Sequence, residues 1–222
     1  MTVLHLADEG EAADLAAFLS RLLHYDRGAA VRLQAAGTAL AVFGRPPSFE
    51  VLAVRAVRLA KPYENGLDVT LDLTVSAGEL LESVDEQAAT AVVPGAVTGP
   101  PWAGVLPPRG GWRPEPGLPA PDALRSLVAA VVAEFRSRTQ ELPSERRTRA
   151  ELDRIGRDIW SRTVADTRLP VRAVHAAQSL GFLRPEVPLG LFSSGAWLRL
   201  RTPYGSIAVR RAGLGALDVS VR

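Results

Sequence analysis

The segment from Leu67 to Ser76 (LDVTLDLTVS) constrains the fold most, because apolar and polar residues alternate through it without a break. Alternation with a period of two predicts a β-strand with one buried face and one solvated face. Three strand-like segments precede it, separated by turns that contain Gly or Pro: AAVRLQA, TALAVFG and FEVLAVRAVRLA. We therefore predict a four-stranded antiparallel sheet in the first part of the chain.

An amphipathic helix is predicted before this sheet, from Asp8 to His24. After the sheet, Ser76 and Glu79 have the spacing of a capping box, which predicts a short helix to about Val84. The apolar residues of the first helix follow the spacing of one helix face, which we expect to pack on the sheet: Ala12, Leu15, Ala16, Leu19, Leu22 and Leu23.

The middle of the chain, residues 94–121, is rich in Pro and Gly and includes GPPWAGVLPPRGGW at Gly99–Trp112. Such a composition is typical of a linker. Trp102 and Trp112 argue against a free linker, because a docked Trp buries much apolar surface and proline lowers the entropy cost of ordering the segment. We therefore predict an ordered strap across the protein surface, with both tryptophans mostly buried. A proline-rich ligand for another domain is the alternative.

The last part of the chain has the pattern of three helices followed by a β-hairpin. The first helix is predicted at 122–142 with Asp122 as its N-cap, and the second begins at a capping box formed by Thr148 and Glu151. The third is predicted at 169–181, where a proline suits the first turn. The hairpin consists of AWLRLRT, the turn PYGS and IAVRR, and it is a candidate to extend a sheet.

Together these patterns predict an α+β fold in three parts. Residues 1–93 form the N-terminal helix on a four-stranded antiparallel sheet, residues 94–121 form the strap, and residues 122–222 form the three-helix segment that ends in the hairpin. The net charge changes sign near the start of the strap. Residues 1–99 carry 13 acidic and 7 basic side chains, whereas the rest of the chain carries 11 acidic and 19 basic ones. This asymmetry predicts either a basic half that binds nucleic acid or two halves that attract each other, within or between chains.

Two hairpin segments resemble each other within the chain: GAAVRLQAAGTALAV at 28–42 and GAWLRLRTPYGSIAV at 195–209. Both begin with Gly-Ala, contain an aliphatic-Arg-Leu triplet and follow a predicted helix. Two explanations stay open. One is the chance similarity of hairpins rich in Ala and Arg, and the other is a duplicated helix-plus-hairpin unit whose copies pack as pseudo-symmetric halves.

Composition excludes several classes of chemistry. The chain has no Cys, so disulfides, thiolate nucleophiles and Cys-bound metals are excluded. No apolar run reaches the roughly 20 residues of a membrane span, and the N-terminus MTVLHLADEGEA lacks the pattern of a signal peptide. We therefore expect a cytoplasmic protein that does not bind membranes.

The polar residues give no positive support for an enzyme. His5, His24 and His175 lack neighbours with metal-ligand spacing, and no nucleophile elbow, phosphate-binding loop or dinucleotide fingerprint is present. Asp68 and Asp72 share a strand face, which a solvated surface explains. We predict no catalytic, cofactor-binding or metal-binding residue, although the sequence leaves enzyme activity open.

The sequence therefore predicts a non-enzymatic interaction protein that self-associates as a homo-oligomer such as a homodimer, with Trp102, Trp112 and Trp197 in the strap or the interface. The alternative is a winged-helix-like DNA-binding protein, because three helices followed by a hairpin is the element order of that fold. Against it, arginines on exposed faces are expected without a ligand in a chain with 25 Arg and one Lys. The residues assigned to DNA contact in this alternative are Arg168, Arg172, His175, Gln178, Arg199, Arg201, Arg210 and Arg211.

Overall fold

The computed structural model describes residues 2–47, 49–60 and 71–211. Five α-helices lie within these residues: α1 (Glu9–Tyr25), α2 (Ala77–Glu82), α3 (Pro121–Gln140), α4 (Arg149–Trp160) and α5 (Val171–Ser179). The same residues contain eleven β-strands: β1 (Val3–His5), β2 (Ala30–Ala36), β3 (Ala39–Gly44), β4 (Leu52–Arg58), β5 (Asp72–Ser76), β6 (Val84–Asp85), β7 (Thr90–Val92), β8 (Arg113–Glu115), β9 (Gly190–Ser194), β10 (Trp197–Thr202) and β11 (Gly205–Arg210). The fold is α+β, as the sequence predicts.

Eight strands form one antiparallel sheet in the order β5-β2-β3-β4-β11-β10-β9-β8. Its first four strands are the predicted antiparallel sheet, which is confirmed where the structure describes it. The turn KPYENG and the start of the alternating strand, at residues 61–70, lie outside the described residues. The C-terminal hairpin β10–β11 extends this sheet, because β11 pairs with β4 and sets Ile207 opposite Ala53. One sheet therefore runs through the acidic and the basic half of the chain.

Several short strands are not predicted from the sequence. β1, β7 and β6 form a second antiparallel sheet in that order, with Val3 opposite Val92. These strands have two or three residues each, too few for a periodic pattern. In the large sheet, β8 contains a proline and β9 begins with glycine, and both residues are depleted in strands.

The first helix forms as predicted, with Asp8 as its N-cap. The Asp8 carboxylate accepts a hydrogen bond from the Glu11 N–H at 2.8 Å, which satisfies one of the free donors at the helix start. Ala16 and Leu23 are only half-buried, and Phe18, which the predicted apolar face omits, is buried. The other predicted face residues are buried in the core: Ala12, Leu15, Leu19 and Leu22.

Two of the three helix caps predicted after α1 are confirmed. The hydroxyls of Ser76 and Thr148 each accept a hydrogen bond from the N–H three residues further on, at 3.3 Å. The prediction that Asp122 caps α3 is wrong, because Ala120 occupies the N-cap position and Pro121 begins the helix. Proline has no N–H and suits the first helical position, so the helix starts one residue before the predicted cap.

The large sheet has two different faces. On the covered face, the buried side chains of all five helices pack with Val42, Ala53 and Ile207 in one core cluster. The other face, which we call the open face, carries the alternate residues of the same strands. Phe43 and Val54 lie opposite each other on it. Both are nevertheless buried, with 7% and 4% of their surface exposed.

The strap is the segment that crosses the open face. At one edge of the sheet, the Val97 N–H donates to the Thr74 carbonyl on β5 at 2.9 Å. Arg32 on β2 donates to the carbonyl of Ala103 at 2.7 Å. The Ser194 hydroxyl on β9 then donates to the carbonyl of Gly110 at 3.2 Å. The strap therefore contacts strands from both halves of the sheet, and within it β8 joins the sheet beside β9.

The prediction that both strap tryptophans are mostly buried is confirmed, although neither is fully buried. Trp102 and Trp112 each keep only a minor part of their surface exposed, as does Trp197 on β10. The buried strap residue is Ala103, which is 4% exposed, because its carbonyl bonds Arg32 and holds the backbone against the sheet. Trp112 folds back along the strap, where its indole N–H donates to the Pro108 carbonyl at 3.0 Å.

The two halves of the large sheet have the same topology. In each half, one helix precedes three consecutive antiparallel strands: α1 precedes β2-β3-β4, and α5 precedes β9-β10-β11. The two meanders meet at the antiparallel pair β4–β11. By its position in the meander, the terminal hairpin β10–β11 therefore corresponds to the hairpin β3–β4. The segment that it resembles in sequence, residues 28–42, instead belongs to the hairpin β2–β3.

Candidate functional site

The helix assigned to DNA recognition in the winged-helix alternative is part of the core. α5 packs against β11 and contacts α3 and α4 on the covered side of the sheet. Arg172 and His175 are half-buried there, and only Gln178 of the assigned α5 residues is exposed. Arg199 and Arg201 lie on the opposite side of the sheet. The structure therefore does not bring the predicted helix and wing residues onto one exposed face. The α5 residues buried in the core are Val171, Ala173, Val174, Ala176 and Ala177.

His175 lies in a row of aromatic rings that connects the two halves. Its ring stacks on Trp160 with 4.6 Å between the centroids and meets the edge of Phe49 at 5.0 Å. Burial among these rings lowers the pKa of His175, because the charged imidazolium loses solvation there. Nearby, Arg172 Nε lies 4.0 Å from a carboxylate oxygen of Glu50. Of the predicted DNA contacts of α5, His175 and Arg172 thus contact residues of the other half or of the core, whereas Gln178 is exposed.

The arginines of the terminal hairpin occupy the open face. Arg199 on β10 lies opposite Ala208, and Arg210 on β11 lies opposite Trp197. Because side chains alternate along a strand, Trp197, Arg199 and Arg201 point to the same side, and so does Phe192 on β9, which lies opposite Arg199. We use the name arginine face for this surface, defined by Arg199, Arg201 and Arg210 with Phe192, Trp197 and the strap residue Trp112.

Arg199 is the central cation of the arginine face. Its Nε donates to the Ser206 hydroxyl at 2.9 Å, and its guanidinium carbon is 5.5 Å from the ring centre of Trp112. Burial lowers the pKa of Arg199, and the charge of Arg201 lowers it further. Among the described residues, no carboxylate forms an ion pair with Arg199, Arg201 or Arg210. The face therefore combines a partly desolvated cation with two exposed cations.

Two other predicted DNA-contact residues serve the fold. Arg168 forms an ion pair with Glu115 on β8 at 3.1 Å, which fixes the loop before α5 to the edge strand. Arg211 Nη2 donates to the Gly195 carbonyl across the β9–β10 turn. The Arg211 Nε is buried and has no hydrogen-bond partner in the part of the chain that the structure describes. These two guanidinium groups are thus already engaged within the chain.

An open cleft of about 690 Å³ lies at the other end of the strap. The α1–β2 loop, the β3–β4 loop and strap residues 97–102 form its walls. Arg45 and Asp26 contribute charge to it, and Trp102 contributes an aromatic ring. The Asp26 carboxylate accepts a hydrogen bond from the Gly28 N–H at 3.0 Å, so part of its acceptor capacity is used within the loop.

The carboxylates considered in the sequence take part in local contacts. Asp72 accepts hydrogen bonds from Arg32 Nε at 2.8 Å and from the Gln34 amide at 3.2 Å, and these contacts lower the pKa of Asp72. Asp68 lies outside the described residues. Within residues 2–47, 49–60 and 71–211, no three His, Asp or Glu side chains cluster closely enough to hold a metal ion. None of the helices there is long and apolar enough to cross a membrane.

The chain is similar to two protein families. Residues 1–104 match a family described as a domain of unknown function (DUF8010), and residues 107–214 match another described as a domain of unknown function (DUF8185). No curated protein matches the chain. The junction between the two matched regions lies in the strap, and each region contributes four strands to the large sheet.

The sequence does not predict that the residues of the arginine face form one surface. The alternation of WLRLRT places Trp197, Arg199 and Arg201 on one side of a strand, and this signal is present in the sequence. Phe192 and Trp112 join the face only through the pairing of β9 with β10 and the path of the strap. No periodicity in residues 94–121 predicts that path.

Proposed function

We propose that this chain is a non-enzymatic interaction protein whose arginine face binds a polyanionic partner. The observation that supports the proposal is Arg199, a partly desolvated cation beside Arg201 with a serine hydroxyl as its side-chain hydrogen-bond partner. Removing a charge from water without a countercharge is unfavourable, so such a group favours the binding of an anion.

Other arginines in this structure differ from Arg199, because they form ion pairs with carboxylates. Arg32 pairs with Asp72 at 2.8 Å, Arg55 with Glu11 at 2.8 Å, and Arg162 with a carboxylate of α3 at 2.7 Å. These three arginines are therefore matched with carboxylates, whereas Arg211 is held by a backbone carbonyl. The abundance of Arg explains how many arginines are exposed. It does not explain why three arginines that form no ion pair with a described residue share one sheet face with aromatic rings.

A heparin column tests the proposal, because heparin is a general polyanion. Arg201 and Arg210 are exposed, so the double variant Arg201→Ala, Arg210→Ala should fold. The matched control is Arg136→Ala, Arg157→Ala, which removes two exposed arginines of α3 and α4 that form no ion pair with a described residue. Both variants lose the same net charge.

We expect the arginine-face variant to elute at clearly lower salt than the control variant, because its lost charges contact the polyanion directly. If the two variants elute at the same salt concentration, retention depends on net charge alone and the proposal is wrong. Circular dichroism of both variants checks that the fold is unchanged.

Self-association and cytoplasmic location stay predictions. Both long edges of β11 and β10 are paired within the chain, so a homo-oligomer would need another surface than the hairpin edges. Trp102 and Trp197 are half-buried and available to such a surface. The mass from light scattering, measured for the wild type and for Trp197→Ala, tests this part of the proposal.

A further inference from the structure

We infer that the polyanion bound by the arginine face is a single-stranded nucleic acid, because the same surface presents cations and aromatic rings side by side on one sheet. This inference rests on the proposed function. Phosphates would contact the guanidinium groups of Arg199, Arg201 and Arg210, and bases would stack on the rings of Phe192, Trp197 and Trp112.

The rings and the cations are direct neighbours. Phe192 lies opposite Arg199 across β9–β10, and Trp197 lies opposite Arg210 across β10–β11. Trp112 lies over Arg199. All three rings are half-buried, so part of each is accessible to a base. Every nucleic-acid base has an aromatic face that can stack on such a ring, whereas a poly-glutamate chain has no aromatic ring.

The shape of the surface favours a single strand over a duplex. Proteins that read duplex DNA usually insert a helix or a two-stranded ribbon into a groove. Here α5 is buried in the core, and β10 and β11 lie within a continuous sheet between β4 and β9. Arg199 and Arg201 are two strand residues apart, about 7 Å along the strand, so both can follow one extended backbone.

The test uses fluorescence anisotropy with three probes of equal length. These are a labelled single-stranded DNA of mixed sequence with about 12 nucleotides, the corresponding duplex, and a labelled poly-glutamate peptide. The single strand should bind at least about tenfold more tightly than either of the others at low salt. With three arginine contacts, the logarithm of affinity should fall against the logarithm of salt with a slope of about −2, or about fifteenfold between about 50 and about 200 mM salt.

Two pairs of variants locate the contacts. Arg201→Ala with Arg210→Ala should lower the affinity for the single strand about tenfold and flatten the salt slope, whereas Arg136→Ala with Arg157→Ala should leave both nearly unchanged. Stacking is measured by quenching of tryptophan fluorescence. Trp112→Phe and Trp197→Phe should each remove part of the quenching, whereas Trp160→Phe, on the covered side, should not.

The outcomes separate this inference from the proposal on which it rests. If poly-glutamate binds as tightly as the single strand and depends on the same arginines, the polyanion proposal holds and the nucleic-acid inference is wrong. Tighter binding of the duplex, or binding of the single strand without quenching, also overturns the inference. If none of the three probes binds at low salt, both the inference and the polyanion proposal are overturned.

Discussion

Arg55 and Arg199 lie in the same sheet and have opposite environments. Arg55, on the covered face of β4, is 4% exposed and donates to Glu11 at 2.8 Å and to the Tyr204 carbonyl at 2.7 Å. It also lies 3.4 Å from an Asp14 carboxylate oxygen. Arg199, on the open face of β10, donates to the Ser206 hydroxyl and lies near the Trp112 ring, and it forms no ion pair with a carboxylate of the described residues.

This arginine-rich chain uses arginine in two ways. Arg55 connects α1 of the first half to the β10–β11 turn of the second half, and its charge is compensated by two carboxylates. Arg199 is partly desolvated and has no such carboxylate among the residues that the structure describes, so we expect it to contribute little to folding and to be available to an anion. We therefore expect substitutions on the covered face to change stability and substitutions on the arginine face to change binding.

Arg55→Ala should have the largest effect on stability. It leaves Glu11, whose side chain is only 11% exposed, without its buried partner. Breaking a buried ion pair costs about 3–5 kcal/mol. Urea denaturation measures the free energy of unfolding. Arg58→Ala is the matched control, because Arg58 binds the same carboxylate from a side chain that is 71% exposed. Equal losses for the two variants would contradict the role given to Arg55.

Arg32→Ala should have a smaller effect, because Arg32 is a partly exposed arginine on the open face of the first half. It loses the hydrogen bonds to Asp72 and to the strap carbonyl of Ala103, worth about 1 kcal/mol. Since that carbonyl holds the strap to β2, trypsin should cleave after Arg109 faster in this variant. Arg125→Ala, which removes an exposed pair on α3, should leave the cleavage rate unchanged.

The pH dependence of stability should show the burial of His175. Its pKa is below the ordinary value of 6.5 in the folded chain, so the unfolded chain binds more protons in this range. The contribution of neutral His175 is fully present above about pH 6.5 and is lost as the pH falls through the lower folded pKa. His175→Phe keeps a ring between Trp160 and Phe49, and it should lose less stability than the wild type between about pH 8 and about pH 5.5. If the free energy of unfolding depends on pH in the same way for both proteins, His175 does not contribute to the pH dependence of stability.

Arg199→Leu should have the smallest effect on stability, within about 1 kcal/mol of the wild type, because replacing an uncompensated half-buried charge with an apolar side chain is often neutral. The same substitution should weaken binding to heparin. A loss of several kcal/mol in urea denaturation would mean that Arg199 serves the fold as Arg55 does, and the contrast between the two faces would be lost.

Local features of the fold are predictable from the sequence, because they depend on residues close together in the chain. Asp8, Ser76 and Thr148 cap their helices as predicted, and the strands β2 to β5 form within the four segments predicted as strands. The pairing of β4 with β11 is not predictable in the same way, since alternation shows which side a residue points to but not which strand lies beside it.

The candidate site is only partly predictable for the same reason. Arg199 and Arg201 are identified from the sequence, but as part of a wing that acts together with Arg172 and His175. The α5 residues are enclosed by rings such as Phe49, which lies more than a hundred positions earlier in the chain. Helical periodicity gives the direction of His175 on its helix and carries no information about such a distant neighbour.

Side-chain NMR of the arginine Nε–Hε groups tests the central claim most directly, because it observes matched and unmatched arginines in one sample. The signals are assigned with single Arg→Lys variants, and a short heparin oligosaccharide is titrated into the labelled protein. We predict that the signals of Arg199, Arg201 and Arg210 shift, and that those of Arg55 and Arg32 do not. Shifts of equal size for all five arginines, or no shift for Arg199, would contradict the account.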